Sequence, residues 1–129
     1  MAFTWIDKTV VLAIHYEQLA EHGGREGFRD EAGLESALAK PKHLTLYETP
    51  DICELAAAYA AGIGQRQSFM DGNKRVSSVV TELFLNLNGV DLLATDAEIV
   101  EAWKSLAANK MTQAQMADWL RQRIAPLTR

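Results

Sequence analysis

The sequence has few of the features that mark secreted, membrane or nucleic-acid-binding proteins. It contains one cysteine, Cys53, among 129 residues, so it cannot close an internal disulfide. An apolar run from Val10 to Ile14 ends at His15, far short of the roughly 18 to 20 apolar residues that span a bilayer. The net charge of −4 argues against a protein that binds duplex DNA or a membrane surface. We therefore expect a cytoplasmic protein that contacts neither a membrane nor nucleic acid directly.

The chain also lacks the signs of a division into domains. It has three prolines and no repeat or low-complexity linker, and 48% of its residues are hydrophobic while 23% are charged. A chain of this length buries roughly two thirds of the surface that its unfolded form exposes. We therefore expect residues 1–129 to form one domain with its own core.

Helical periodicity runs through nearly the whole sequence and predicts an all-α bundle of about six helices. Gly23 is a typical helix stop, and Asp30 and Asp51 are typical N-cap residues. The predicted helices are a first from about Ile6 to Gly23, a second from Asp30 ending before Pro41, a third from Asp51 through Ile63, a fourth from about Asn73 to Leu87, and two shorter ones at about Asp96 to Ala108 and Thr112 to Ile124.

The segment from Pro41 to Pro50 differs from the rest. Leu44 and Leu46 alternate with Thr45 and Tyr47, a pattern with the two-residue period of extended chain. It predicts a short extended flap between the second and third helices.

The chemically unusual segment is the connection from Gln67 to Arg75. Lys74 and Arg75 are predicted in the first turn of a helix, where free N–H groups and the positive end of the dipole disfavour cations. This placement favours a bound anion. Gly72 permits close approach of the backbone, and Asn73 can cap or donate, so these residues and the two cations form a candidate phosphate site.

Two neighbours complete this candidate site. Asp71 is a suitable oxygen ligand for a Mg²⁺ ion that bridges phosphates. Phe69, an apolar residue among polar ones, is expected to anchor the loop in the core.

Simpler interpretations remain open at this point. Asp71 and Gly72 form a common turn, Asp71 can serve merely as a helix cap, and Lys74 and Arg75 can point into water. His15 and His22 lie two helical turns apart without a third ligand, so solvated helix residues are the default interpretation for both.

The loop Phe69-Met70-Asp71-Gly72-Asn73-Lys74-Arg75 resembles that of the Fic/Doc family, in particular its Doc-type branch with the pattern H-x-F-x-D-x-N-K-R. Similar stretches around Gly23-Gly24, Arg29-Asp30, 34–38 and 85–89 extend the resemblance over about residues 5 to 122. The resemblance implies a small Fic-fold helical bundle.

What the resemblance implies about function is a death-on-curing toxin of a toxin-antitoxin system. Such toxins resemble kinases, because they transfer the γ-phosphoryl group of ATP to a hydroxyl of elongation factor Tu and so inhibit translation. The family pattern makes Asp71 the Mg²⁺ ligand, places Gly72 and Asn73 in the anion hole, and assigns Lys74 and Arg75 to ATP binding. The flap would align the target segment, and restraint would come from a cognate antitoxin.

Two positions bear on which reaction is expected. In Fic adenylyltransferases the position of Lys74 is typically glycine, so the lysine favours phosphorylation over AMP transfer. The family's catalytic histidine falls at Gln67, and an amide does not titrate near neutral pH as a general base must. The resemblance therefore implies a transferase that is catalytically impaired. Protein adenylyltransferase activity and a non-catalytic module that binds nucleotide or antitoxin are the alternatives.

Overall fold

A computed structural model describes residues 2–128 and shows a mostly helical bundle with one small sheet. The predicted all-α class and the six helices are confirmed for this part of the chain. The elements are α1 (Lys8–His22), α2 (Glu31–Tyr47), α3 (Ile52–Gly64), α4 (Asn73–Leu87), β1 (Val90–Leu92), α5 (Asp96–Ala107), α6 (Gln113–Arg121) and β2 (Ile124–Pro126). None of the helices in this range combines the length and the apolar character needed to cross a membrane.

Helix α3 forms the centre of the bundle and packs against α2, α4 and α6. All but two of its residues are buried, because its many alanines and glycines allow neighbouring helices to come close on several sides. A Cβ atom on Gly62 would lie 2.8 Å from the Cβ atom of Ala37 in α2. Cys53 is part of this core, and burial raises the pKa of its thiol to about 11.

The predicted extended flap from Pro41 to Pro50 is wrong, because α2 continues through Pro41 to Tyr47. Proline removes one backbone donor from a helix and is usually disfavoured there. Here Pro41 is buried, and it continues the stripe formed by Leu34 and Leu38 on the helix that packs against α3. Burial of this continuous stripe outweighs the loss of one hydrogen bond.

The predicted extension of the last helix to Ile124 is also wrong. Helix α6 ends at Arg121, and β2 pairs antiparallel with β1, with Val90 opposite Pro126. Three-residue strands carry too little alternation to be recognised in a sequence. The pairing ties the end of the chain to the segment that follows α4.

Helix α4 carries the candidate site and begins differently from the other helices in residues 2–128. The other five helices each begin after an aspartate or threonine whose side chain accepts a backbone N–H bond; these residues are Asp7, Asp30, Asp51, Thr95 and Thr112. The N-cap of α4 is Gly72, which has φ 84° and no side chain to accept such a bond. The first backbone N–H groups of α4 therefore receive no bond from an N-cap side chain and are available to a ligand.

A buried hydroxyl fixes α4 within the bundle. Ser77 Oγ donates to the Ala60 carbonyl in α3 at 2.7 Å and accepts the indole N–H of Trp103 in α5 at 2.8 Å. Ser77 is fully buried, and Trp103 is nearly so. One side chain thus joins three helices below the candidate site.

We expect Ser77→Ala to destabilise the protein by about 1 to 3 kcal/mol, because it leaves the buried Trp103 N–H without a partner. Ser78→Ala is the matched control, since this hydroxyl donates only to the Arg75 carbonyl of the same helix. Urea unfolding of both variants measures the difference. Equal decreases in the free energy of unfolding of the two variants would contradict the role of Ser77 in joining the three helices.

Candidate functional site

The loop between α3 and α4 is held by a short pairing with the segment that precedes α2. The Ser68 carbonyl accepts N–H bonds from Arg29 at 2.7 Å and Asp30 at 2.9 Å, and Met70 N–H donates to the Gly27 carbonyl at 3.1 Å. Because these partners lie about 40 residues apart in sequence, the loop has a tertiary support that local turn chemistry does not supply. The pairing also carries Arg29 to the loop.

Phe69 lies in the core beneath the loop, where the structure leaves it 1% exposed. Its ring is stacked between two others: the His15 ring at 3.8 Å between centroids and the Phe28 ring at 5.3 Å. Burial of a phenylalanine side chain contributes roughly 1.5 to 3 kcal/mol. The position matches the anchoring role expected of this residue.

Asn73 closes the loop with two reciprocal hydrogen bonds to one residue. Its Oδ1 accepts the Phe69 N–H at 3.0 Å, and its Nδ2 donates to the Phe69 carbonyl at 2.9 Å. Asn73 is 9% exposed. The amide group of Asn73 therefore serves the shape of the loop, and the contribution of this residue to an anion site is left to its backbone.

A cavity of about 340 Å³ opens above the loop at the start of α4. Its walls are formed by Arg29, Gln67, Met70, Asp71, Gly72, Asn73, Lys74 and Arg75. The structure thus brings the predicted polar site residues to one concavity. The anchor Phe69 lies outside its wall, in the core below.

The charge on this wall is predominantly positive. Arg29, Lys74 and Arg75 are all exposed, and within residues 2–128 none of them forms an ion pair shorter than 4.0 Å. Arg29 was not predicted as a site residue, because no local pattern places it near a helix that begins more than 40 residues later. Three cations and the free donors of a helix N-terminus make this concavity suited to a polyanion.

Asp71 is oriented by a residue outside the loop. Its Oδ2 accepts the Arg25 backbone N–H at 2.7 Å, and the Arg25 Nε lies 3.7 Å from the same oxygen. The alternative interpretation of Asp71 as a helix cap is wrong, because α4 is capped by Gly72 without a side-chain bond. Oδ1 has no hydrogen bond in the described part of the chain, which leaves it available to a ligand.

His15 is not the solvated helix residue that the sequence suggested. It is 7% exposed, and its Nε2 lies 3.0 Å from the Asp71 carbonyl oxygen, while His22 is exposed as expected. The spacing of four residues between Val11 and His15 places both on the face of α1 that is buried. This four-residue spacing is the sequence signal from which the burial of His15 could have been predicted.

Gln67 has a backbone conformation that is unusual for its residue type. Its φ is 54°, in the left-handed region that residues with a side chain rarely adopt, and the residue is exposed at the cavity wall. Backbone strain of this kind costs on the order of 1 kcal/mol and is concentrated at functional sites. The fold therefore holds the side chain of position 67 beside the cations.

Comparisons with known proteins identify related sequences. The sequence model described as the Fic/DOC family matches residues 5–85. The chain is 26% identical over 113 residues to the protein kinase doc of Escherichia phage P1, covering 87% of this chain and 89% of that protein. It is 35% identical over 75 residues to the toxin Doc of Mycolicibacterium smegmatis, covering 56% of this chain and 57% of that toxin.

We expect Asn73→Ala to loosen the loop, because both backbone polar groups of the buried Phe69 lose their partners. The free energy of unfolding should fall by about 1 to 3 kcal/mol, and the Phe69 amide should exchange with solvent faster. Asn73→Asp separates the two bonds: it keeps the acceptor for the Phe69 N–H, so this amide should stay protected, but it places an oxygen against the Phe69 carbonyl and should also lose stability. Unchanged amide exchange in Asn73→Ala would contradict the account of the loop.

Proposed function

Because this chain belongs to the Fic/Doc family, we propose that it is a Doc-type toxin of a toxin-antitoxin system, which acts in the cytoplasm and is restrained by a cognate antitoxin. Its native chemistry in this proposal is Mg²⁺-dependent transfer of the γ-phosphoryl group of ATP to a hydroxyl of elongation factor Tu, which arrests translation. The observation that carries the proposal is the cavity at the start of α4 with its three exposed cations.

The phosphates of ATP are the part of the substrate that this cavity fits. Lys74 and Arg75 project from the first turn of α4, and Arg29 adds a third positive charge from the segment before α2. An arginine can donate two parallel N–H bonds to phosphate oxygens, and charge-assisted bonds of this type are about twice as strong as neutral ones. The cations would hold and orient the triphosphate and stabilise charge that develops on it during transfer.

Asp71 fits the role of a magnesium ligand. Among residues 2–128 no group of three or more acidic, histidine or cysteine side chains is arranged to hold a metal. Mg²⁺ in phosphoryl-transfer sites is commonly held by one or two carboxylates together with phosphate oxygens and water. An oriented carboxylate whose Oδ1 has no hydrogen bond within residues 2–128 matches that pattern. Bound there, the ion would neutralise phosphate charge.

Gln67 accounts for the reduced turnover that we propose for this chain. The reaction needs a group that accepts the proton of the target hydroxyl, and a carboxamide does not titrate near neutral pH. Gln67 can still orient a hydroxyl by hydrogen bonding from its place at the cavity wall. Binding and positioning would therefore survive, while proton transfer would be slowed by about 10²- to 10⁴-fold.

Gln67 also favours a second candidate function, a non-catalytic module that binds nucleotide or antitoxin. The cavity and its cations serve that function equally well. AMP transfer remains the alternative reaction, and Lys74 weighs against it, because the adenylyltransferases of the family typically carry glycine there. The two reactions differ in which labelled phosphate of ATP reaches the target.

We expect Arg75→Ala to weaken ATP binding by about 10- to 100-fold, because it removes a charge-assisted contact to phosphate. Arg29→Ala should weaken binding in the same direction. Arg66→Ala is the matched control, since Arg66 is exposed on the same loop but does not line the cavity, and the net charge changes equally. Calorimetric titration with ATP measures all three. Equal affinities in the Arg75 and Arg66 variants would contradict the phosphate site.

We expect Gln67→His to raise transfer of label from γ-labelled ATP to elongation factor Tu by about 10²- to 10⁴-fold, because it supplies a titrating base. Gln67→Asn is the control, as it changes the side chain without supplying a base. Label from α-labelled ATP instead would identify AMP transfer. Tight nucleotide binding without product from either label would support the binding module and contradict the kinase.

A further inference from the structure

His15 contacts the loop at the peptide group between Asp71 and Gly72, and we infer that it is a positioning residue that aims the Gly72 N–H at the bound phosphate. The inference rests on the proposed function, because it assigns one donor within the proposed phosphate site. His15 does not itself line the cavity and would act through the backbone of two residues that do, Asp71 and Gly72.

The direction of the peptide follows from the hydrogen bond that His15 makes. A carbonyl oxygen only accepts, so the His15 Nε2 at 3.0 Å from the Asp71 oxygen carries the proton and donates it. In a trans peptide the C=O and N–H groups point in opposite directions, and the described chain has no cis peptide. The Gly72 N–H therefore points away from His15.

The two sides of this peptide face different cavities. His15 and Phe69 line an apolar cavity of about 210 Å³ behind the loop, whereas Asp71 and Gly72 line the cavity with the three cations. A donor that points away from His15 is directed to the side of the cations. Within residues 2–128 the Gly72 N–H has no hydrogen-bond acceptor, as expected for a donor reserved for a ligand.

The peptide needs such a restraint because Gly72 is free to adopt other conformations. Its φ is 84°, and glycine populates several backbone regions at little cost. Rotation of the Asp71–Gly72 peptide would turn a carbonyl oxygen toward the cavity in place of the N–H and would repel a phosphate. The His15 ring is stacked on Phe69 with 15° between the ring planes, which fixes the position of its Nε2–H group. The hydrogen bond from this group to the Asp71 carbonyl opposes the rotation.

The test is an NMR titration of the whole protein with inorganic tripolyphosphate in the presence of a chelator, which separates the anion site from metal binding. In the native protein the Gly72 amide proton should shift downfield as tripolyphosphate binds. In His15→Phe, which keeps a ring against Phe69 but has no donor, that shift should be lost, and affinity should fall about tenfold.

Two further variants separate positioning from a general loss of structure. His15→Gln keeps an N–H donor and should retain the Gly72 shift and affinity within about threefold of the native protein. His22→Phe makes the same substitution at an exposed position of α1. It should change neither the Gly72 shift nor the affinity for tripolyphosphate. If His15→Phe does not fold, loss of the Gly72 shift in a folded His15→Gln would overturn the inference, and its retention would support it.

The outcomes also separate this inference from the proposed function. Binding that shifts the Lys74 and Arg75 amides but leaves Gly72 unmoved would overturn the role of His15 and leave the phosphate site intact. If His15→Phe keeps both the affinity for tripolyphosphate and the Gly72 shift, the role of His15 is likewise overturned and the phosphate site is unaffected. Absence of any tripolyphosphate binding to the native protein would overturn both the site and the inference.

Discussion

Mutual repulsion among three cations is the constraint on which the candidate site depends. Arg29, Lys74 and Arg75 line one concavity, and within residues 2–128 none of them forms an ion pair. Two of them lie at the positive end of a helix dipole. Asp71 adds a carboxylate to the wall, and one of its oxygens is engaged by Arg25. A bound polyanion would relieve this repulsion and stabilise the arrangement. The residues of the loop therefore favour a phosphate ligand.

The loop can hold these charges together because the surrounding fold supports it on several sides. Phe69 anchors it in the core, Asn73 closes it, and the backbone of Ser68 pairs with the segment before α2. These contacts are buried or lie in the backbone, so they constrain the loop with little dependence on the exposed side chains that meet a ligand. The site is therefore organised before anything binds to it, which reduces the ordering cost of binding.

Sequence patterns predicted those parts of the site that lie close together along the chain. Gln67 and residues 70–75 line the cavity because they lie close together along the chain and because α4 begins at Asn73, as the helical pattern predicted. Arg29 and His15 could not be placed in this way, since tertiary packing brings them to the loop from about 40 and 55 residues away. The sequence predicts Gly72 as part of a turn with Asp71. In the structure, Gly72 is the N-cap of α4, and it has no side chain to accept a backbone N–H bond of the helix.

The errors in the fold have the same physical origin. A local rule ends a helix before proline, but the buried stripe that includes Leu34 and Pro41 shows that packing on α3 overrides it. The strands at 90–92 and 124–126 stabilise each other across the chain and have no signal of their own. The helices with strong caps, such as α3 after Asp51, were the elements that local chemistry defined best.

The central claim is that this concavity binds a polyphosphate. It is tested most directly by calorimetric titration of the unaltered protein with ATP at increasing ionic strength. The account predicts saturable binding of one nucleotide per chain that weakens as salt screens the three cations. Absence of saturable binding at low salt, or an affinity that does not change with salt, would contradict it.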